Sequence, residues 1–279
     1  MSEAPALFDR ALYVRRIAHA RQHGPDILAR TAAAELDERL SLVTRNFARA
    51  LLIAPDPEPI ADMLRLSGKV AALEMRTPAV EENLNLLSDQ YDAVFHILDL
   101  HAVNDVPGTL AQIRRALKPD GLFLACLFAG ETLTELRQSW LAAEAEISGG
   151  ATPRVAPMIG VRELGALLQR AGFALPVADM DRTIVRYADA LSLIHEIGEL
   201  GLSNALIGRE KKPVNKRLLG AVVNYYHQHF ADDDGRVRAT LELAWATGWA
   251  PHESQQQPLK PGSAKARLAD ALKVPEQKL

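Results

Sequence analysis

Cysteine, net charge, long apolar runs and glycine in one critical stretch are all scarce in this chain, and each scarcity narrows what it can be. One cysteine, Cys126, stands in 279 residues, so no internal disulfide forms and a reducing compartment suits the protein. It lies in the apolar run LFLACLF without a cationic neighbour in sequence, which reads as a buried inert thiol and not a nucleophile. With 32 Lys+Arg against 35 Asp+Glu, no whole-protein field draws nucleic acid. No stretch reaches the roughly 18 apolar residues that cross a bilayer, so any membrane association is peripheral. The N-terminus is charged early and lacks the apolar core of a secretory signal. It is Arg-rich and amphipathic, as mitochondrial targeting segments are, but Glu3 and Asp9 count against that reading, and a cytoplasmic location is expected. A Gly-x-Ser-x-Gly elbow and a Walker loop are both missing, which removes hydrolase and kinase-like readings. His227 and His229 stand two apart on a predicted helix with no completing ligand, so no metal site is expected.

What is present is an apolar content of 48%, ample for one sizeable core. Leu28, Ala32, Leu36, Leu40, Val43 and Phe47 recur at helical spacing and predict a helix from Asp26 to Phe47. Short apolar runs follow at Ala50–Ala54, Val70–Met75 and Tyr91–Leu98, then LFLACLF, each reading as a buried parallel strand. Helical stretches alternate with them, and Lys118-Pro119-Asp120-Gly121 ends one of these. This order predicts an α/β fold with a mostly parallel sheet and helices on both faces. TIVRY, two helical stretches and the alternating TLELAWATGW predict an antiparallel last strand. The organisation read from this is an N-terminal helical segment over 1–48, a main domain over 49–250 with a helical insertion at about 189–231, and a polar tail over 251–279. Tyr225, Tyr226 and Phe230 read either as a contact surface or, more simply, as helix packing.

In such sheets a ligand binds beyond the strands' carboxyl ends, first of all where the first strand turns into its helix. A nucleotide-like ligand needs glycines there so that backbone can approach it. This chain has no glycine between Gly24 and Gly68, and offers Pro55-Asp56-Pro57-Glu58-Pro59 instead. Three prolines remove donors, and two acids repel a carboxylate.

The segments FDRAL, RNFARALLI, LDLHAVNDVPGTLAQIRRALKPDGLFLACLF, AGETLTELR, GGATPRVAP, RELGALLQRAGF, VADMD and PHESQQQP resemble, in that order, the methyltransferase-like assembly factors of respiratory complex I. More distantly the chain is similar to the malonyl-acyl carrier protein methyltransferase of biotin synthesis. The resemblance implies a seven-stranded, Rossmann-like class I methyltransferase fold, S-adenosylmethionine as ligand, and a complex I subunit as protein partner, on which the family's reaction is arginine hydroxylation. It places the cofactor against Ala54, Asp56, Glu74 and Leu98, with Glu74 as the acid for the ribose. The aspartate and three glycines of relatives are here Leu52, Ala54, Asp56 and Glu58. On the partner side it implies His101 and Asn104, in a segment like LHWVND with Ala102 for the tryptophan, and Arg154, Tyr187 and His252. His101 either orients a substrate or exchanges a proton, or is simply held by loop backbone. Thr132 with Glu135 reads as a capping box, with cleft lining as the other option. Two functions follow: a cofactor-poor assembly factor, or an active methyltransferase or arginine hydroxylase.

Overall fold

The computed structural model describes residues 6–256. Glu3 and the polar tail beyond 256 lie outside the described residues. Two helices, α1 (Arg10–His23) and α2 (Ile27–Ser41), precede β1 (Phe47–Ile53). Asp9 starts α1 by accepting the Leu12 N–H, an N-cap. The helical spacing that ran on to Phe47 overshoots: α2 stops at Ser41, and Phe47 already pairs with Val70 in the sheet. Val43 and Phe47 keep a four-residue rhythm by chance of register, and periodicity alone does not detect the change of backbone.

α3 (Glu58–Leu66), β2 (Val70–Arg76), β3 (Tyr91–Ile97), α4 (Val106–Ala116) and β4 (Leu117–Phe128) continue the alternation. α5 (Thr134–Ser148) and α6 (Val161–Arg170) lead to β5 (Ala174–Tyr187), and α7 (Ala190–Glu199) and α8 (Lys216–Phe230) separate β5 from β6 (Val237–Trp249). The strand order is β2-β1-β3-β4-β6-β5. β1 to β4 are parallel, and β6 runs antiparallel to both β4 and β5, so the last strand is antiparallel, as expected. Among the described residues the sheet has six strands, not seven. Only the short run 77–90 joins β2 to β3, and a further parallel strand with its two crossovers needs roughly thirty residues.

Strand alternation sends Leu52, Phe95, Leu124 and Trp245 to one face, where α2 and α3 cover them, and Leu51, Val94, Phe123 and Ala244 to the other, under α4 and α6. Tyr226 on α8 is buried and donates its hydroxyl to Arg238 O, so the core-packing reading holds for it. Cys126 is buried and its thiol is pushed well up by that burial, as an inert cysteine should be.

α1 closes over the carboxyl end of the sheet and is stitched to the chain after α7. Arg16 donates to Ser203 O and Asn204 O, and Phe8 bridges Leu206. Gly201, at φ +74°, makes this contact: a Cβ there stands 2.9 Å from Arg16 O. Gly201→Ala adds that clash to a left-handed backbone and is expected to cost about 1–3 kcal/mol, read as a lower thermal midpoint with unchanged helix content.

Candidate functional site

β1, β3 and β4 end side by side, and the residues that follow them face α1. Ala54 is buried, and Pro55 and Asp56 turn directly into α3. Arg21 on α1 reaches this turn, with Nε 3.8 Å from Asp56 Oδ1 and Nη2 3.9 Å from Glu58 Oε1. Burial raises the Asp56 carboxyl, and the Arg21 charge only partly opposes this. Leu98, just past β3, is held at φ +58°, a conformation a leucine rarely adopts. Ala54, Asp56 and Leu98 therefore do meet, around a half-open cavity of about 80 Å³ that Ile17 and Arg21 of α1 also line.

Glu74 does not join them. It sits two residues before the end of β2 and takes hydrogen bonds from Tyr91 Oη at 2.7 Å, Arg76 at 2.8 Å and Arg49 at 3.2 Å. Burial alone would raise its carboxyl, but these donors outweigh it and the net shift is downward. Its oxygens are committed to protein partners, and it lines neither this cavity nor the next.

A larger cavity of about 350 Å³ adjoins the first through Leu28, Phe128, Leu200 and Leu202. It is mainly apolar and brings together His101, Arg154 and Tyr187. His101 lies on a single 3-10 turn (Leu100–Ala102), edge-on to Phe128 at 4.8 Å and to Tyr13 at 6.3 Å. Its Nδ1 has no partner, so the loop-backbone reading of this residue fails at that nitrogen. Burial lowers its pKa to about 4 against a smaller upward pull from Asp99, leaving an uncharged ring at neutral pH. Arg154 is paired with Glu144 at 2.6 Å and stacks over Trp140. Tyr187 closes β5, its phenol pushed up by burial and by Glu196.

Asn104 and His252 lie elsewhere. Asn104 Oδ1 accepts from Leu7 N and Phe8 N, both at 2.7 Å, and so moors the N-terminal segment. His252 is exposed beside Ser254, past the end of β6, and the Leu122–Trp249 pairing puts it at the opposite end of the sheet. The expected capping box is also absent. Thr132 Oγ1 bonds the backbone of Ala129 and Glu242, while Glu135 reaches Thr240, and α5 starts at Thr134 behind a left-handed Leu133. Among the described residues no three His, Cys, Asp or Glu converge as metal ligands.

Three carboxylates on the large cavity, Glu35, Asp181 and Glu196, escaped the sequence reading. Glu35 looks like any charged position of an amphipathic helix, yet it accepts Trp245 Nε1–H from a strand 210 residues away. The only available signal for Asp181 was the segment VADMD, which ends on it.

Comparison with known proteins places this geometry. A methyltransferase domain family matches residues 37–125. The arginine-hydroxylase NDUFAF5, mitochondrial, of Danio rerio is 38% identical over 196 residues, covering 70% of this chain and 61% of that protein. The Homo sapiens protein of that name is 33% identical over 276 residues, covering 91% of this chain and 80% of its own. A methyltransferase-class structure from Bacillus halodurans C-125 superposes with a TM-score of 0.52 at 13% identity, covering 80% of this chain and all of that one, which speaks to the fold alone. The cytoplasmic expectation does not stand, because these relatives are mitochondrial proteins. Asp9, which had counted against a targeting-type segment, is the N-cap of α1 and is there for the helix. A methyltransferase-type sheet, the matched domain and the likeness to the human protein over most of both lengths together show that the chain belongs to the arginine-hydroxylase NDUFAF5 family.

Proposed function

We propose that this protein is a methyltransferase-fold assembly factor for respiratory complex I that engages a protein partner through the large cavity and does not seat S-adenosylmethionine against the first-strand loop. The observation that carries the reading is the contrast between the two adjoining spaces. The loop that should cradle an adenosyl amino acid borders about 80 Å³, with Arg21 beside it, whereas ligand sites begin near about 300 Å³. The neighbouring cavity of about 350 Å³ is large enough for a side chain with its flanking backbone. The residues present do not fit the usual cofactor pose: Pro55 and Pro57 carry no N–H, Asp56 and Glu58 oppose a carboxylate, and Glu74 is bound to Tyr91 and two arginines.

A second reading, hydroxylation of an arginine on the partner, is favoured by one feature. Glu35, Asp181 and Glu196 line the cavity and match a guanidinium in charge. Both readings place the partner in the same cavity, so one experiment separates them. Tagged protein is expected to retain a complex I peripheral-arm subunit, and the triple change Glu35→Gln, Asp181→Asn, Glu196→Gln to release it. Mass spectrometry of the retained subunit is expected to show no added methyl or oxygen. An oxygen increment that depends on the three carboxylates establishes the hydroxylase instead, and failure to retain any complex I subunit overturns both.

A further inference from the structure

The two outer strands of the sheet, β2 and β5, are guarded differently. A bare strand edge is a template for another strand, and folds blunt it with charge, proline or a bulge. β5 carries all three: Pro176, a register shift between Ala174 and Val177, and Asp179, Asp181, Arg182 and Arg186 along its length. β2 carries no proline, and its pairing with β1 keeps one register from Arg49↔Ala72 to Ile53↔Arg76. Lys69, just before β2, is the residue type that repels a second strand, but its ammonium is turned onto Val43 O.

Ala54 N donates to Arg76 O, so Arg76 faces β1. Backbone groups alternate along a ladder, so Glu74 faces β1 too, whereas Leu73 and Met75 turn their N–H and C=O outward. Among the described residues those outward groups have no partner. Met75 is 36% exposed, and Ala71 and Ala72 are exposed on the same strand. Side chains alternate as well. Leu73 and Met75 lie on the α3 side, next to Ala50 and Leu52, while Glu74 and Arg76 share the other face, next to Leu51 and Ile53.

An antiparallel copy of β2, related by a two-fold axis through Met75, sets Met75 against Met75 and Leu73 against Thr77. On the other face it sets Glu74 against Arg76 and Arg76 against Glu74, so β2 is its own charge complement. An axis through Glu74 sets two carboxylates face to face, one through Arg76 two guanidinium groups, and one through Leu73 leaves Glu74 against Ala72.

We propose that β2 is a homodimer interface, along which a second copy of this chain pairs antiparallel about a two-fold axis at Met75 and joins the two sheets into one. Leu73, Met75 and Thr77 of each copy exchange main-chain hydrogen bonds. Glu74 and Arg76 already meet within one chain at 2.8 Å, and in the dimer the four charges alternate in sign around a square. No residue of β2 lines the large cavity, so this interface does not depend on the complex I reading.

Sedimentation velocity of the full chain over a concentration series is expected to show a monomer and dimer in equilibrium. Arg76→Glu sets Glu74 against a second carboxylate and is expected to weaken the dimer at least tenfold. Glu74→Arg is expected to weaken it likewise, and mixing the two variants to restore it, since each supplies the charges that the other lacks. Arg76 also donates to Leu84 O; should these variants not fold, Met75→Cys gives a readout that leaves the charges in place. Across a hydrogen-bonded antiparallel pair the Cα atoms stand about 5.5 Å apart, within disulfide reach, so mild oxidation is expected to cross-link Met75→Cys. Ala71→Cys, roughly 26 Å from its mate in this register, is expected not to cross-link. The natural Cys126 is buried and leaves the background clean. A monomer at every concentration up to about 100 µM, whether the edge stays bare or another segment of the chain covers it, overturns the proposal. So does a dimer that persists unchanged in Arg76→Glu, or one that cross-links equally at both positions.

Discussion

Replacing Asp99 by Ala is expected to lower the free energy of unfolding by about 3–5 kcal/mol, the usual cost of removing one partner from a buried ion pair. Asp99 is the centre of a small network at the end of β3: Arg10 lies 3.1 Å from one oxygen and His96 3.0 Å from the other, and the side chains of all three are almost fully enclosed. Without the carboxylate the Arg10 charge stays buried against the carbonyls of Ala102 and Ala79 and the Glu82 carboxylate, whose Oε1 lies 3.7 Å from Arg10 Nε and is already shared with Asn104 N. Urea titration at pH 7 reads this as a lower midpoint with an unchanged slope. The double variant Arg10→Met, Asp99→Leu removes both charges, and is expected to recover most of the loss. If Asp99→Ala costs less than about 1 kcal/mol, the range for an exposed pair, the pair is not buried and the docking of α1 described above is wrong.

Acid should weaken the fold in two separate steps, and the sign of each follows from its residue. Burial, opposed in part by Asp99, holds His101 at about 4 against an ordinary 6.5. The unfolded chain binds that proton first, so the contribution is complete above pH 6.5 and is lost as pH falls through the window from 6.5 to 4. At roughly 1.4 kcal/mol per pH unit over that window, the loss is about 2–3.5 kcal/mol, the lower figure allowing for the part of the ring that faces the cavity. Asp99 is held at about 2, because hydrogen bonds and charge from His96 and Arg10 outweigh the upward push of burial. Its stabilisation is present above its ordinary value of 3.8 and disappears between there and about 2. Stability measured from pH 7 to 4 in His101→Phe is therefore expected to lose the first slope, while the Asp99 step below pH 4 stays. A His101→Phe protein with the unsubstituted pH profile contradicts the assignment.

These effects bear on what was legible in the chain. The strands could be read, because a buried parallel strand is a short apolar run between turn residues, and LFLACLF and TLELAWATGW have little other use. The strand count could not, because it came by resemblance and the run 77–90 is too short to carry another strand. At the site, His101, Arg154 and Tyr187 fall around one cavity and Ala54, Asp56 and Leu98 around another, whereas Glu74, Asn104 and His252 take up other places. What decides between these outcomes is contact over long sequence separation. Arg21 over Asp56, Arg10 on Asp99 and Trp245 on Glu35 join elements far apart in the chain, and no local pattern announces them. Glu74 shows the converse: an acid near a strand end has the right type for a ribose, and only the fold reveals that Tyr91 and two arginines hold it.

Calorimetric titration of the full chain with S-adenosylhomocysteine bears directly on the turn at Ala54–Glu58 beside Arg21. No saturable heat is expected at ligand concentrations up to about 1 mM, equivalent to binding weaker than about −4 kcal/mol. A micromolar Kd, about −8 kcal/mol, that is lost in Glu74→Ala would contradict the account and return the cofactor to its usual seat.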